Sequence, residues 1–177
     1  STSISFEPST SNLRILSRNI SINELDQKIK IMPIALTNLN NAFLSMNEGN
    51  FIEGGALNAF GENINFEGKE FLPKMKYTTY GTSINSLIEQ NILEIPNYVK
   101  IDVDGIEHLI LQGASKILES KKLISLSIEI NEDFLKQYEN ITKIMKNYNF
   151  RVLHKRNNLQ ITKNSVFENT FNYIFER

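Results

Sequence analysis

Apolar and polar positions change period several times along the chain, and each change marks an element. Ile4-Ser-Phe6 reads as a short strand closed by Glu7-Pro8-Ser9, because Pro8 has no amide to donate to a ladder. The serines and threonine that follow offer N-caps for a helix with Leu13, Leu16 and Ile20 on one face, ending near Asp26. Residues 28–36 form the next strand, with Pro33 marking an edge or a bulge. Residues 42–47 read as a further short strand. Residues 48–73 hold five glycines and little periodicity. Unstructured segments of that length inside a domain are usually functional or disordered, and this one reads as a mobile cover in which Asn58, Phe60, Glu62 and Asn63 could meet a substrate. Residues 76–80 alternate as a strand, and Thr82 or Ser83 caps a short helix through Leu87 and Ile88.

Residues 98–118 carry the most informative pattern. A buried strand over 98–103 ends on acids and turns directly into a helix whose apolar positions Ile106, Leu109, Ile110, Gly113, Ala114, Ile117 and Leu118 share one face. The β-branched run 123–130 ends beside Glu129. Residues 131–147 are helical, and 150–154, 159–162 and 170–175 read as closing strands, at least two of them antiparallel. Alternation of short strands and amphipathic helices predicts an α/β fold: a mainly parallel sheet with helices on both faces and antiparallel C-terminal strands, in a single domain over residues 1–177.

Composition narrows the chemistry. The 177 residues are 41% hydrophobic and 22% charged, with a net charge of -1. That balance carries no footprint for nucleic acid. There is no cysteine and only two histidines, His108 and His154, so thiolate chemistry is excluded and no metal site is expected. No apolar run nears the roughly 20 residues that span a bilayer, and no signal-peptide pattern opens the chain. A cytoplasmic protein without membrane or nucleic-acid partners is the expectation; the oligomeric state is open.

Ligands of open α/β sheets bind outside the carboxyl ends of the strands, which directs attention to the acids there. Asp102 follows a buried strand, where an unpaired carboxylate is costly. Glu7 fits an acid that accepts hydrogen bonds from ribose hydroxyls if its strand is the second of such a sheet; otherwise it is a loop glutamate. Asp104 and Glu107 have the spacing of a capping box, with Asp104 accepting from the helix amides and Glu107 reaching back to the Asp104 amide. His108 either lies exposed on the helix or faces the cleft as a base. Glu129 either neighbours Asp102 across the crevice or caps the next helix. The glycines match no phosphate-cradling motif.

With Phe6-Glu7-Pro8-Ser9, the Lys100-Ile-Asp-Val-Asp-Gly-Ile-Glu107 block and Gly113-Ala114 in this order, the chain resembles FkbM-family methyltransferases. The resemblance runs from about Ser5 to Phe175 and includes the segments at 33–38, 83–88, 128–129 and 172–175. It implies the Rossmann-like class I fold, S-adenosylmethionine as cofactor, and transfer of methyl to a hydroxyl of a sugar or secondary metabolite, so that the partner is a small-molecule or carbohydrate acceptor. By the same resemblance the Phe6-Glu7-Pro8 segment binds the cofactor, Glu7 holding its ribose. Asp102 faces its methionine end and the acceptor. Asp102 and His108 are the candidates for taking the hydroxyl proton. Asn85 stands where the family usually has Asp. The family also has a first strand and a glycine-rich turn before the Phe-Glu-Pro strand, and nothing precedes Ser1 here. The resemblance therefore implies a domain incomplete at its N-terminus, with a gap between the strand at Phe6 and the strand at 99–101. Two rivals follow: a non-catalytic binding module that keeps the fold, and a dehydrogenase of the same topology.

Overall fold

The computed structural model describes residues 1–50, 52–157 and 163–177. It contains strands β1 (Ser3–Phe6), β2 (Ile29–Met32), β3 (Ala35–Leu36), β4 (Ala42–Glu48), β5 (Asn58–Phe60), β6 (Met75–Thr82), β7 (Tyr98–Ile101), β8 (Ser125–Asn131), β9 (Arg151–Arg156) and β10 (Thr170–Glu176). Its helices are α1 (Thr10–Ile22), α2 (Ile84–Glu89), α3 (Glu107–Gln112), α4 (Ser115–Glu119) and α5 (Leu135–Asn147). The strand expected over 159–162 lies outside the described residues.

Among the described residues three sheets result: β1-β2, β7-β8-β10-β9 and β3-β6-β4-β5. Pairing is parallel in β1–β2, β3–β6 and β7–β8. It is antiparallel in β8–β10 and in the C-terminal pair β9–β10, as the closing runs suggested. The further antiparallel pairs β4–β5 and β4–β6 belong to a sheet that the glycine-rich segment helps to build. β1 and β7 do not pair with each other.

The main core lies around β8. Leu126, Ile128 and Ile130 alternate with Ser125, Ser127 and Glu129, so one face of the strand is fully buried. Onto it pack Ile110 and Leu111 of α3, Ile117 and Leu118 of α4, Ile141 and Met145 of α5, and Tyr173 and Phe175 of β10. A smaller cluster of Ala35, Met46, Phe60 and Ile106 joins β3, β4 and β5 to the turn after β7.

Element boundaries depart from the periodic pattern where a backbone group is committed elsewhere. α1 starts at a Ser9 cap, whose hydroxyl accepts from the Asn12 amide at 3.3 Å. It stops at Ile22 rather than near Asp26. Glu24 takes a positive φ of 53° and the Leu25 amide folds back to the Ile20 carbonyl at 3.0 Å. The strand expected over 28–36 is two strands: Pro33 has no amide to pair, and the Ile34 amide turns back on the Met32 carbonyl at 2.9 Å. The single helix expected through Leu118 is likewise divided. The Gly113 carbonyl accepts from the Asn85 amide at 2.9 Å, and a Cβ at Gly113 would lie 2.4 Å from the Thr37 carbonyl oxygen. This close approach joins α3 and α4 to the chain leaving β3.

Gly113→Ala is therefore expected to lower stability by about 1–3 kcal/mol, the usual range for overpacking, because the clash is with backbone. Denaturant unfolding of the two proteins measures it.

Candidate functional site

The carboxyl ends of β1 and β7 open on one cavity of about 360 Å³, within the ~300–1,000 Å³ usual for small-molecule sites. Its apolar lining includes Phe6, Ile34, Leu36, Met46, Ile106 and Ile110; its polar side chains are Glu7, Asn12, Asn58, Asp102 and Asp104. The side-chain oxygens of Asn12 and Asn58 are buried and have no hydrogen-bond partner. No lysine or arginine is among the lining residues. Three carboxylates and two orphaned amide oxygens make the wall rich in acceptors, suited to a ligand that brings N–H and O–H donors or positive charge.

Glu7 sits half-buried at the end of β1, where one carboxylate oxygen accepts from the Ser9 amide at 2.8 Å. Burial pushes its pKa up. The Ser9 amide and Asn12 act against that, and the charges of Glu48 and Asp104 add to it. Phe6 and Pro8 flank it in the wall. Asp102 also lines the cavity, but not as a buried group: β7 ends at Ile101, the Asp102 side chain is 37% exposed, and Lys100 Nζ pairs with it at 2.6 Å. The expected burial of this strand-end carboxylate is corrected, and Lys100 is its partner.

His108 is placed elsewhere. α3 turns Ile106 and Ile110 to the cavity, and His108 points the other way. It is 4% exposed and lies edge-on to Phe134 with ring centroids 6.2 Å apart. Burial and Lys136 push its pKa down, and Nδ1 has no partner. It is neither exposed on the helix nor in the cavity wall.

The capping box is half correct. Asp104 does not cap α3, which has no side-chain cap. Its carboxylate accepts from the Leu57 amide at 2.7 Å and the Asn58 amide at 3.3 Å, fastening the glycine-rich segment to the end of β7. Asp104 has φ 60° and Gly105 φ 121°; at Gly105 a Cβ would stand 2.8 Å from the Asn65 carbonyl oxygen. Glu107 does reach back, though to the amides of Val103 at 3.1 Å and Gly105 at 3.1 Å rather than to that of Asp104, and also accepts from Gln137 of α5. It is 1% exposed, and burial pushes its carboxyl up to about 7 against those donors. The segment expected as a mobile cover is thus tied down, with Asn58 and Phe60 in the cavity wall and Glu62 and Asn63 outside it.

Glu129 stands one residue past Ile128, the register partner of Ile101, so it neighbours Asp102. Its carboxyl is pushed up to about 7, by burial first and then by the charges of Asp102 and Asp104. It lines a separate void of about 10 Å³ with Asp104, Gly105, Glu107 and Gln137, not the main cavity. The helix after β8 has no side-chain cap, so the capping alternative for Glu129 falls away. Asn12, Glu48, Tyr77 and Gln137 were not singled out by the sequence. Isolated polar residues within a helix or strand carry no periodic signal, and only contacts across the fold distinguish them.

The family model described as the Methyltransferase FkbM domain matches residues 2–152. The chain belongs to the FkbM methyltransferase family. Among solved structures, the crystal structure of Methyltransferase FkbM from Methylobacillus flagellatus KT superposes with a TM-score of 0.59 at 14% identity, covering 98% of this chain and 36% of that one. That likeness is one of fold, and the chain spans about a third of that protein's length. No curated protein matches. Among the described residues no helix is long and apolar enough to cross a membrane. At the position where the FkbM resemblance leads one to expect Asp, Asn85 serves as a cap from outside α4. Its Oδ1 accepts from the Lys116 amide at 2.9 Å and its Nδ2 donates to Ser115 Oγ at 2.9 Å. The acceptor needed for that role survives the change from Asp to Asn.

Glu107 generates a pH prediction. Its carboxyl is near 7 when folded against an ordinary 4.5, so between those values the folded state holds a proton that the unfolded chain has released. Its contribution is complete below about 4.5 and is lost as pH rises through about 7. Glu129 acts in the same sense. Glu107→Gln is expected to flatten the decline of stability over this window by about half, measured as denaturant midpoints at a series of pH values.

Proposed function

We propose that this FkbM domain is an S-adenosylmethionine-dependent methyltransferase acting on a hydroxyl oxygen of a small-molecule or carbohydrate acceptor. The observation that carries the reading is the composition of the cavity wall. Glu7 and Asp102, from the ends of two different parallel strand pairs, face one space whose remaining polar side chains, Asn12, Asn58 and Asp104, each carry an acceptor oxygen. Ribose hydroxyls, an α-ammonium group and a sulfonium centre are the donors and positive charge that such a wall accommodates. The apolar lining of Phe6, Ile34 and Leu36 suits a flat heteroaromatic ring.

When bound, the cofactor supplies a methyl carbon made electrophilic by the sulfonium sulfur. The protein's own contributions are binding, orientation and proton removal. Glu7 has a carboxylate oxygen beyond the one used by the Ser9 amide with which to receive a hydroxyl. The apolar lining excludes water from the reacting atoms. Asp102, exposed at the rim and ion-paired, takes the proton of the acceptor hydroxyl or orients the group that bears it. Alignment of acceptor and donor supplies much of the acceleration in such transfers. His108, turned away from the cavity, has no part in this proposal.

The same wall weighs against the dehydrogenase rival. A dinucleotide brings a pyrophosphate, and a wall of three carboxylates with no basic side chain repels it. The non-catalytic rival shares the cavity and differs only in turnover.

Calorimetric titration with S-adenosylmethionine tests the reading, with NAD as control. Binding of the first and not the second is the expected result. Glu7→Ala is expected to weaken cofactor binding by roughly ten- to a hundredfold, the effect of losing a hydrogen bond to a charged group; unchanged affinity would make Glu7 a loop residue only. Activity is read as S-adenosylhomocysteine release across a panel of sugar and polyhydroxylated acceptors. On an acceptor that turns over, Asp102→Asn is expected to lower turnover by about 10²–10⁴-fold if it takes the proton. A drop confined to cofactor affinity assigns it to orientation instead. Cofactor binding without turnover on any acceptor favours the non-catalytic module.

A further inference from the structure

Glu48, at the end of β4, is fully buried at 0% exposure, and the proposed chemistry makes no use of it. One of its carboxylate oxygens accepts from the Tyr77 hydroxyl of β6 at 2.7 Å, and the other has no partner. A buried carboxylate with an orphaned oxygen is expensive. What it achieves is visible on the far side of the phenol. The Tyr77 oxygen accepts from the Thr10 amide at 3.1 Å and lies 3.5 Å from the Pro8 carbonyl. Thr10 is the first residue of α1, so its amide has no partner within the helix. Ser9 serves the Asn12 amide, and Tyr77 reaches in from another sheet to serve that of Thr10.

The direction of these bonds follows from the chemistry of the groups. The phenol has a single proton, so donating it to Glu48 leaves a Tyr77 lone pair for the Thr10 amide. An apolar residue at 48 would leave the hydroxyl free to turn its proton toward the Pro8 carbonyl. Burial and the neighbouring Glu48 push the Tyr77 pKa up, which keeps the phenol protonated in this role. The turn held in this way, residues 7–10, is the one that carries Glu7.

From these contacts we infer that Glu48 and Tyr77 are a positioning pair for cofactor binding: they anchor the Pro8–Thr10 turn to the β4–β6 sheet and so fix where Glu7 meets the nucleoside part of the ligand. This rests on the reading that Glu7 receives the ribose of S-adenosylmethionine. The charged groups acting on Glu7 are Glu48 from β4 and Asp104 from the turn after β7. Glu48 therefore has a second, electrostatic effect on the same carboxylate.

The experiment uses the full chain and the Tyr77→Phe and Glu48→Gln variants, with two readouts. Without ligand, amide hydrogen exchange over residues 7–13 is compared with that of β4 and β6. Tyr77→Phe is expected to speed exchange at Thr10 by about tenfold, the equivalent of one lost hydrogen bond, and to leave β4 and β6 protected. With S-adenosylmethionine, calorimetry across pH is expected to show Tyr77→Phe binding about tenfold more weakly. Glu48→Gln, which keeps a carbonyl oxygen for the phenol, should shift the acid limb of the binding profile to lower pH, because Glu7 loses a neighbouring negative charge and ionises more readily. Unchanged exchange at Thr10 in Tyr77→Phe would overturn the anchoring. Faster exchange with unchanged affinity, or an unmoved acid limb in Glu48→Gln, would overturn the link to the cofactor. Failure of the unsubstituted full-length protein to bind S-adenosylmethionine would overturn the cofactor reading itself, and the link with it, whatever the exchange data show.

Discussion

The turn from β7 into α3 depends on a carboxylate buried among amides. Asp104 and Gly105 both lie at positive φ, a conformation that costs an L-residue such as aspartate and comes freely only to glycine. Such a turn persists where its surroundings overdetermine it. Glu107 does so by collecting the Val103 and Gly105 amides on one side and the Gln137 side chain on the other. The strand end, the start of α3 and the start of α5 therefore share one buried carboxyl group. Removing it would leave several donors unpaired in the interior.

The site follows from the shape that this turn adopts. Because Asp104 is swung out at positive φ, its carboxylate faces away from α3 and toward the amides of Leu57 and Asn58. The glycine-rich segment is thereby brought against β7, and Asn58 and Phe60 become part of the cavity wall. Gly105 and Gly68 make the fit possible. A Cβ at Gly105 would meet the Asn65 carbonyl oxygen at 2.8 Å, and one at Gly68 would lie 2.3 Å from the Phe134 ring. One side of the cavity is thus set by Glu107 and Asp104, and the other by the β1–α1 turn that bears Glu7. The two acids Asp104 and Glu48 act on Glu7 from these two directions. Cavity shape and cavity charge come from the same few residues.

The family could be read from the chain because its markers are contiguous. Phe6-Glu7-Pro8, the 100–107 block and Gly113-Ala114 are short runs whose spacing along the sequence survives without any knowledge of contacts, and the family match over residues 2–152 rests on the same stretch. Partners of single side chains were read less well. The Asp104–Glu107 spacing has a local explanation in a capping box, and that explanation was right for the direction in which Glu107 reaches and wrong for Asp104. The competing donors, the amides of Leu57 and Asn58, lie more than forty residues away. His108 was ambiguous for a related reason: one step around a helix separates the cavity face of Ile106 and Ile110 from the face packed on Phe134.

By itself, the sequence determined the α/β class, the order of most strands and helices, the strand-end positions of Glu7 and Asp102, and the family. Hydrophobic period and local turn chemistry act over a few residues, so they can be read without contacts. The tertiary structure alone decided where helices and strands break: the Gly113 carbonyl is taken by the Asn85 amide, and after Pro33 the Ile34 amide turns back on the Met32 carbonyl. It also decided that the glycine-rich segment supplies the edge strand of a sheet rather than a loose cover, that Asp102 is exposed beside Lys100, and that Glu48 and Tyr77 hold the turn carrying Glu7. Each of these depends on which hydrogen-bond acceptor lies nearest once the chain has folded. That is a property of distance in space, which distance along the chain does not contain.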